Sequence, residues 1–290
     1  ERTLRTADIA AAASVEALLG TDRAFAADLV GLRPQPGQME SAENMMKLLA
    51  GSEIVASHRQ GDPRVQDAYS LRCAPQVLGA ARDSVTHARR VAEVEMDSAI
   101  DNPMVLPDGR VESCGNFHGA PLGIVCDLLC IASAQAGAIS ERRTDRLLDA
   151  NRSHGLPPFL ADDPGVDSGM MIAQYTQAAM VADNRQLAVP ASSDTVPTSA
   201  MQEDHVSMAW NAARKLRRSV ANLERIVTVE LLCATRGLDL RAPLAPAPGT
   251  AAALRAVREC APGPGPDRWQ SPELAAVERI VREGEVLAAV

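Results

Sequence analysis

Apolar residues recur along most of this chain at the three- and four-residue spacing of α-helices. The spacing predicts helices over about residues 5–31, with a break near Gly20, and over 41–49, 75–101, 120–150 and 169–188. Polar segments with Gly and Pro separate these stretches, as is usual for the connections of a helical protein. The pattern therefore indicates an all-α fold.

One short segment departs from the helical pattern. Residues 102–117 carry Asp108-Gly109 between two short β-prone runs. Asp-Gly favours the tight turn of a two-stranded hairpin, because both residues accept the backbone angles that such a turn requires. The sequence thus predicts one small hairpin within the helical protein.

The strongest structural signal is a heptad seam in the last third of the chain. Its members are Val206, Ala209, Ala213, Leu216, Val220, Leu223, Val227, Glu230 and Ala234. They predict one helix from Ser199 to Arg236, on the order of 55 Å long at the usual rise per residue. Ser199 and Gln202 fit a capping box at its start, and Glu230 interrupts the seam once. Long helices with small residues in the seam pack closely in bundles, often across subunits.

From these elements we expect residues 1–240 to form an elongated bundle of long antiparallel helices, with structured active-site loops and the one hairpin. Residues 241–290 contain the Pro-rich runs RAPLAPAPGT and APGPGP. We predict that this second segment is a linker with two short terminal helices packed on the same bundle.

Composition narrows the class of protein. Hydrophobic residues make up 46% of the chain but aromatics only 2%, so the core must consist of Ala, Leu, Val, Ile and Met. A net charge of -8 without a Lys/Arg block argues against a nucleic-acid partner. We recognise no apolar run that approaches membrane-spanning length and no leader pattern, so we expect no membrane partner.

Cysteine and histidine spacing indicates no metal site. The six cysteines form no C-x-x-C pair, and the five histidines show no ligand spacing. Cys126 and Cys130 lie one helical turn apart in an apolar stretch, where we interpret both as small hydrophobic side chains. Free thiols are typical of a reducing cytoplasm, which is the location we expect.

Candidate chemistry lies in three polar loops. In QDAYSLR, Tyr69 could act as a general acid or base, and Arg72 could clamp a carboxylate with two hydrogen bonds. In GNFHG, Asn116 offers an amide and Phe117 an aromatic wall. In QEDH, Glu203 would lie in the first turn of the long helix, where the dipole favours a carboxylate.

Each of these residues also has an ordinary structural interpretation. A tyrosine hydroxyl can cap a loop, an arginine can form a surface ion pair, and carboxylates are common at helix starts. The acidic helix end with Asp97 and Asp101 could bind metal in a terpene-cyclase-like protein, but a carbocation pocket needs an aromatic lining and the chain has seven aromatics. No phosphate loop, nucleophile elbow or dinucleotide fingerprint is present.

In combination, the loops resemble those of the aromatic amino acid ammonia-lyases. The segments VQDAYSLRCAPQVLGA, DNPMV, GNFHG, SERR, GLPPFL, SGMMIAQ and PTSAMQEDHVSM occur in the family's order. QEDHVSM is most similar to the histidine ammonia-lyase branch. The resemblance covers about residues 36–240, nearly the whole bundle.

The resemblance implies an elongated helical bundle that forms a homotetramer, with active sites built by several subunits. It implies elimination of ammonia from an L-amino acid, histidine or a related one, to give an unsaturated acid. Tyr69 would be the catalytic tyrosine that helps with proton transfer and contacts the prosthetic group. Arg72 would bind the substrate carboxylate, and Glu203 would be a second catalytic residue facing the substrate side chain or amine.

The same resemblance assigns four further residues to substrate binding. Gln66 and Asn116 would lie near the amine and the prosthetic group, and Phe117 would flank them. Gln202 would bind the substrate beside Glu203. A carboxylate clamp, a phenol and a second carboxylate are also what elimination from an amino acid requires on chemical grounds.

The family's electrophile cannot come from these 290 residues. It is a methylidene-imidazolone made from an Ala-Ser-Gly tripeptide, and the only Ser-Gly here, Ser168-Gly169, follows Asp167. We expect no cofactor within the chain and predict that an N-terminal portion or a partner chain supplies the group. That the sequence starts at Glu1 rather than Met favours a longer polypeptide.

Smaller departures from the family pattern point to altered activity. Ala68 stands where the family usually has proline, and Asp97 where it usually has asparagine. Met201 replaces an asparagine before QED, which removes a polar group beside the pocket. The substrate could therefore differ from histidine.

Two main hypotheses follow. In the first, the chain is the C-terminal part of an ammonia-lyase and becomes active with its N-terminal portion. In the second, it is a catalytically reduced homologue that serves assembly, binding or other chemistry. A fumarase-type lyase is a weaker third, because the lysine and asparagine expected after ASSDTVP are missing.

Overall fold

The computed structural model describes all 290 residues, and its regular secondary structure is helical apart from one short hairpin. The helices are α1 (Arg2–Ala17), α2 (Ala27–Val30), α3 (Pro36–Leu49), α4 (Glu53–Ser57), α5 (Tyr69–Arg72), α6 (Ala74–Met96), α7 (Ala120–Leu148), α8 (Met171–Leu187), α9 (Ala209–Asp239), α10 (Pro248–Arg258), α11 (Ser271–Glu283) and α12 (Glu285–Ala289). The all-α prediction is confirmed.

The predicted hairpin is present. Strands β1 (Met104–Val105) and β2 (Val111–Glu112) pair antiparallel and form the only sheet. Gly109 has a φ of 87°, the left-handed region that favours glycine. The hairpin separates α6 from α7 and carries the polypeptide across one end of the bundle.

Helix α1 lies at the centre of the molecule. Its Ala-rich sequence is buried along nearly the whole length, as expected for a helix that is packed on all sides. It contacts α3, α6 and α9. Because alanine side chains are small, these neighbours approach the α1 backbone closely, and the core needs few aromatic residues.

The long helices α6 to α9 give the molecule its elongated shape. Successive members run antiparallel: Arg143, near the end of α7, donates to the Ser70 carbonyl just before α6, and Gln177 of α8 donates to the Ile226 carbonyl of α9. Helices α7 and α9, two elements apart, therefore run parallel. At about 1.5 Å per residue, α9 spans roughly 45 Å.

The predicted start of α9 is wrong. Ser199, Ala200 and Met201 have φ values of 49°, 53° and 74°, and such left-handed residues cannot continue into a right-handed helix. The helix begins ten residues later, at Ala209. Ser199 and Gln202 consequently form no capping box for it.

The heptad seam is buried only in its second half. From Leu223 onward its members are buried, whereas Val220 is 38% exposed. Glu230 interrupts the seam because it has buried partners on two other helices. Its carboxylate accepts from Arg143 Nη2 at 2.8 Å and from Ser14 Oγ at 2.8 Å.

The expectation that no apolar run reaches membrane-spanning length is wrong for α7. By length and composition this helix could cross a membrane, with a mean hydropathy of 1.8 over 18 residues. One such helix is weak evidence for a span, because core helices of helical bundles have the same composition. Two of its buried charged residues are paired within the bundle: Asp127 accepts from Lys215 at 2.7 Å, and Arg143 binds Glu230.

The C-terminal segment folds back onto the bundle. Helix α10 contacts α3 and α9, and α11 contacts α9. The buried Glu16 carboxylate of α1 accepts from Ala247 N at 2.7 Å and from the Thr250 hydroxyl. There are three terminal helices instead of two, because Gly284, with a φ of 84°, separates the short α12 from α11. The division of the chain at residue 240 stays a prediction.

Candidate active site

A loop of residues 58–73, here called the tyrosine loop, leads into α6. Tyr69 opens the one-turn helix α5 and is 72% exposed. Two neighbours hold that turn in place: Leu71 is buried, and the Ser70 carbonyl accepts from Arg143 Nη1 at 3.2 Å. The turn is therefore anchored to the core while the phenol points away from it.

Asp67 is the main polar anchor of the tyrosine loop. One carboxylate oxygen accepts from Thr21 N at 2.7 Å, and the other from Arg64 Nη1 at 3.3 Å. Its backbone carbonyl accepts from Arg72 Nε at 2.9 Å. A single residue, 8% exposed, thus ties the loop to the end of α1 and orients the arginine.

Arg72 and Tyr69 form one unit. The guanidinium carbon lies 4.6 Å from the centroid of the tyrosine ring, within the range of a cation–π contact. Apart from the bond to the Asp67 carbonyl, the guanidinium has no hydrogen-bonding partner in the chain. Its two terminal nitrogens present the fork that binds a carboxylate.

A cavity of about 300 Å³, the tyrosine-loop cavity, adjoins this unit. Besides Gln66, Tyr69 and Arg72 it is lined by Arg64, Arg146 and His154. The His154 ring nitrogen Nε2 lies 3.1 Å from Arg64 Nη1. Burial, and then the charge of Arg64, lower the pKa of His154, so the imidazole is a neutral acceptor here.

Glu203 lies in a second region, the acidic loop (residues 198–205). It is exposed, and its carboxylate accepts a short hydrogen bond from the Thr198 hydroxyl. Hydrogen bonds from Thr198 and then Ser199 hold the pKa of Glu203 below its ordinary value. Because α9 starts at Ala209, the predicted support from the helix dipole is wrong, and local hydroxyl groups stabilise the charge instead.

The GNFHG segment meets the acidic loop. The His118 and His205 rings stack with 5.4 Å between centroids, and His118 Nε2 lies 3.2 Å from the His205 carbonyl oxygen. Asn116 reaches the Ala99 carbonyl at 3.4 Å, and Phe117 is 57% exposed. The second and third predicted loops are therefore neighbours.

The first predicted loop is far from the other two within one chain. Gln66, Tyr69 and Arg72 precede α6, whereas Asn116 contacts Ala99 just beyond the end of that helix. The 23 residues of α6 separate the two regions by roughly 35 Å at 1.5 Å per residue. A single copy therefore holds the candidate site residues in two separate regions.

Three residues that line the tyrosine-loop cavity were not predicted as site residues from the sequence. Arg64, Arg146 and His154 belong to no motif that the local pattern distinguishes, and Arg146 and His154 lie more than 70 residues after Tyr69. Only the return of α7 toward the tyrosine loop brings them together. The roles predicted for Tyr69 and the other site residues stay predictions, while their positions are now defined.

The helical bundle, with a Tyr-x-x-Arg turn at one end and a carboxylate loop at the other, has the features that the resemblance to the ammonia-lyases implies. The chain belongs to the aromatic amino acid lyase family, whose model, described as "Aromatic amino acid lyase", matches residues 1–259. The resemblance stated from the loop motifs is confirmed, including its histidine ammonia-lyase branch.

The relatives agree with this assignment. The chain is 63% identical over 286 residues to a histidine ammonia-lyase of Streptomyces avermitilis, covering 98% of this chain and 56% of that protein. The crystal structure of histidine ammonia-lyase from Trypanosoma cruzi matches with a TM-score of 0.91 at 39% identity, covering 99% of this chain and 54% of that one.

A second solved structure has the same fold and belongs to an enzyme named for a different activity. Tyrosine aminomutase from Streptomyces globisporus matches with a TM-score of 0.92 at 35% identity, covering 99% of this chain and 58% of that chain. The chain spans about half the length of the curated relatives it matches. It corresponds to an ammonia-lyase-like C-terminal part.

Proposed function

We propose that this chain supplies the carboxylate-binding and proton-transferring half-sites of an ammonia-lyase that acts on L-histidine or a related L-amino acid. The observation that carries the proposal is the Tyr69–Arg72 unit: an exposed phenol and an unpaired guanidinium, 4.6 Å apart, on a turn anchored in the core. Elimination of ammonia needs an oriented amino acid and a group that takes its β-proton.

Arg72 binds the substrate carboxylate in this proposal. Its Nε is already used by the Asp67 carbonyl, which fixes the plane of the guanidinium and leaves the terminal nitrogens for the ligand. Pre-orientation of this kind reduces the entropy lost on binding. Tyr69 then lies beside the bound amino acid, where its hydroxyl exchanges a proton with the substrate.

Glu203 binds the other end of the substrate. Because its pKa is lowered, the carboxylate is ionised at neutral pH and can pair with an imidazole N–H or with the ammonium group. Asn116 and Gln66 add amide groups, Gln202 adds a further polar contact, and Phe117 supplies an apolar wall. A carboxylate at this position favours histidine over an amino acid with an apolar side chain.

The two half-sites are joined by assembly. Since α6 separates them by roughly 35 Å, Tyr69 of one copy works with Glu203 of another, and a homotetramer satisfies this requirement. Exposed apolar residues on α7 and α9, among them Ile124, Ile131 and Val220, support burial against further copies.

The methylidene-imidazolone would be supplied by a segment outside these 290 residues, made from Ala-Ser-Gly. Two polar groups of this chain suit contact with the methylidene-imidazolone. The Tyr69 hydroxyl and the Gln66 amide are exposed and have no hydrogen-bonding partner in the chain. These two residues would contact it. When bound, the group supplies an electrophile that withdraws electrons from the substrate and assists departure of the amine.

The test combines the chain with the portion of the Streptomyces avermitilis relative that the match does not cover. The assembly is isolated, and ammonia release and ultraviolet absorbance of the unsaturated acid are measured with L-histidine, L-tyrosine and L-phenylalanine. We expect turnover with L-histidine. Tyr69→Phe should lower kcat by about 100-fold or more, while Tyr175→Phe, at the only other tyrosine, should not change it.

The alternative of a catalytically reduced homologue gives the opposite result. An assembly that forms by size-exclusion chromatography, carries the prosthetic group and yet releases no ammonia would overturn the lyase proposal. An isomeric β-amino acid in place of the unsaturated acid would indicate an aminomutase instead.

A further inference from the structure

Arg146 is a cation without a partner. It lies near the C-terminal end of α7, is half-buried, and forms no hydrogen bond or ion pair in the chain. The nearby acidic residues are engaged elsewhere: Asp145 pairs with Arg142 and Arg152, and Asp149 pairs with Arg152. The Arg146 nitrogens are not buried, so they reach solvent and are free to donate to a ligand.

The tyrosine-loop cavity carries excess positive charge. Three arginines line the cavity, but only one aspartate, Asp67, does so. Asp67 and the nearby Asp62 are both bound to one of these arginines, Arg64. Arg72 and Arg146 therefore both face the cavity region without a carboxylate partner. The proposed lyase function uses Arg72 alone, for the substrate carboxylate.

His154 also lines this cavity. Its Nε2 contacts Arg64 and must accept there, which leaves Nδ1 as the protonated nitrogen. The residue has a φ of 55°, a left-handed conformation that non-glycine residues adopt only occasionally and that costs free energy. The backbone thus holds the ring at the cavity despite the strain.

We propose that the tyrosine-loop cavity is a binding site for a small tetrahedral oxyanion of the phosphate type, held by Arg146 with His154 and the free nitrogens of Arg72. Two guanidinium forks and an imidazole N–H offer more donors than the two oxygens of a carboxylate can accept, whereas phosphate has four oxygens and up to two negative charges. The volume of about 300 Å³ admits such an ion.

The oxyanion site shares Arg72 with the proposed lyase function but is tested separately from it, because phosphate binding needs no turnover. Inorganic phosphate is titrated into the 290-residue chain at constant ionic strength, and binding is followed by calorimetry and by the ³¹P chemical shift. We expect one saturable site per chain and weaker binding of acetate. Arg146→Gln should lower the phosphate affinity at least about tenfold.

The matched control is Arg142→Gln, one helical turn earlier, where the side chain is exposed and paired with Glu141 and Asp145. It should leave the phosphate affinity unchanged. Arg146→Lys keeps the charge without the planar fork and should lose part of the phosphate affinity. If circular dichroism shows that the glutamine variant is unfolded, the lysine variant tests the role of Arg146 in its place.

Three results would overturn the oxyanion site. The first is no saturable phosphate binding by the unmodified chain. The second is equal affinity in the Arg146 and Arg142 variants, with loss only in Arg72→Gln, which would place the anion in the substrate-carboxylate position. The third is acetate binding as tight as phosphate binding.

Discussion

The two ends of helix α6 hold their polar groups in opposite ways. At the N-terminal end, the charged residues are buried and paired: Asp67 binds Arg64. Arg143 of α7 binds Glu230 of α9. At the other end, Glu203 and Asn116 are exposed and bonded only within their own loops or at the helix end. The chain therefore anchors the tyrosine-loop end through buried contacts, whereas Glu203 and Asn116 are held by local hydrogen bonds.

The same contrast is visible in two carboxylates. Glu16, buried near the tyrosine-loop end, has its pKa raised because burial disfavours the charged form. Glu203, exposed in the acidic loop, has its pKa lowered by hydroxyl donors. Burial thus has the larger effect on the Glu16 carboxyl, and local hydrogen bonds on the Glu203 carboxyl.

The largest expected effect is at the buried ion pair. Arg143→Met leaves Glu230 without its cation in the core, and we expect the free energy of unfolding to fall by about 3–5 kcal/mol. Chemical denaturation measures this loss. Arg142→Met, one residue earlier and exposed, should change stability by less than about 0.5 kcal/mol.

A second substitution tests whether the unpaired Glu230 carboxylate causes the loss of stability. Adding Glu230→Leu to Arg143→Met removes the uncompensated carboxylate, so most of the lost stability should return. If the double variant is as unstable as the single one, the ion pair does not explain how the tyrosine-loop end is held.

A smaller effect is expected at the anchor of the loop. Asp67→Ala leaves Thr21 N without an acceptor and removes one of the two carboxylates bound to Arg64, so it should lower the free energy of unfolding by about 1–3 kcal/mol. Amide hydrogen exchange over residues 69–72 should become faster, because the turn loses its tie to α1. Asp28→Ala, at an exposed residue, is the control; equal exchange in both variants would contradict the anchoring role.

The buried Glu16 carboxyl makes the free energy of unfolding depend on pH. Since the pKa of Glu16 is raised above its ordinary 4.5 in the folded protein, the folded state binds this proton more tightly than the unfolded chain does. Its contribution to stability is complete below pH 4.5 and is lost as the pH rises through the folded-state pKa.

Glu16→Gln tests this dependence. A glutamine can still accept from Ala247 N and donate to Thr250, as the protonated acid does, but it does not titrate. We expect the variant to show a flatter decline of the free energy of unfolding above pH 4.5 in denaturation curves at several pH values. An unchanged slope would mean that Glu16 titrates alike in both states.

The smallest effect is expected in the acidic loop. Thr198→Val removes the first hydrogen bond to Glu203, so the pKa of this carboxyl should rise toward its ordinary value. Titration followed by NMR of the side-chain carboxyl measures the change. Thr195→Val, in the same segment but bonded to the Val206 backbone, should leave Glu203 unaffected.

Much of the fold was predictable from local pattern. Helical spacing located α3, α6, α7 and α8 to within a few residues at most of their ends, and Asp108-Gly109 located the hairpin. These features depend on residues that are close in sequence, where periodicity and turn chemistry act directly. The ordered loop motifs likewise identified the family.

The sequence alone thus determined the helical fold, the family and the identity of the candidate site residues. Tertiary structure decided where α9 begins, why Glu230 lies in an apolar seam, and that Arg146 and His154 face Tyr69. These outcomes depend on contacts between residues far apart in the chain, such as Glu230 with Ser14 and Arg143. Periodicity records which side of a helix is buried, but only the packed bundle determines which charges meet there.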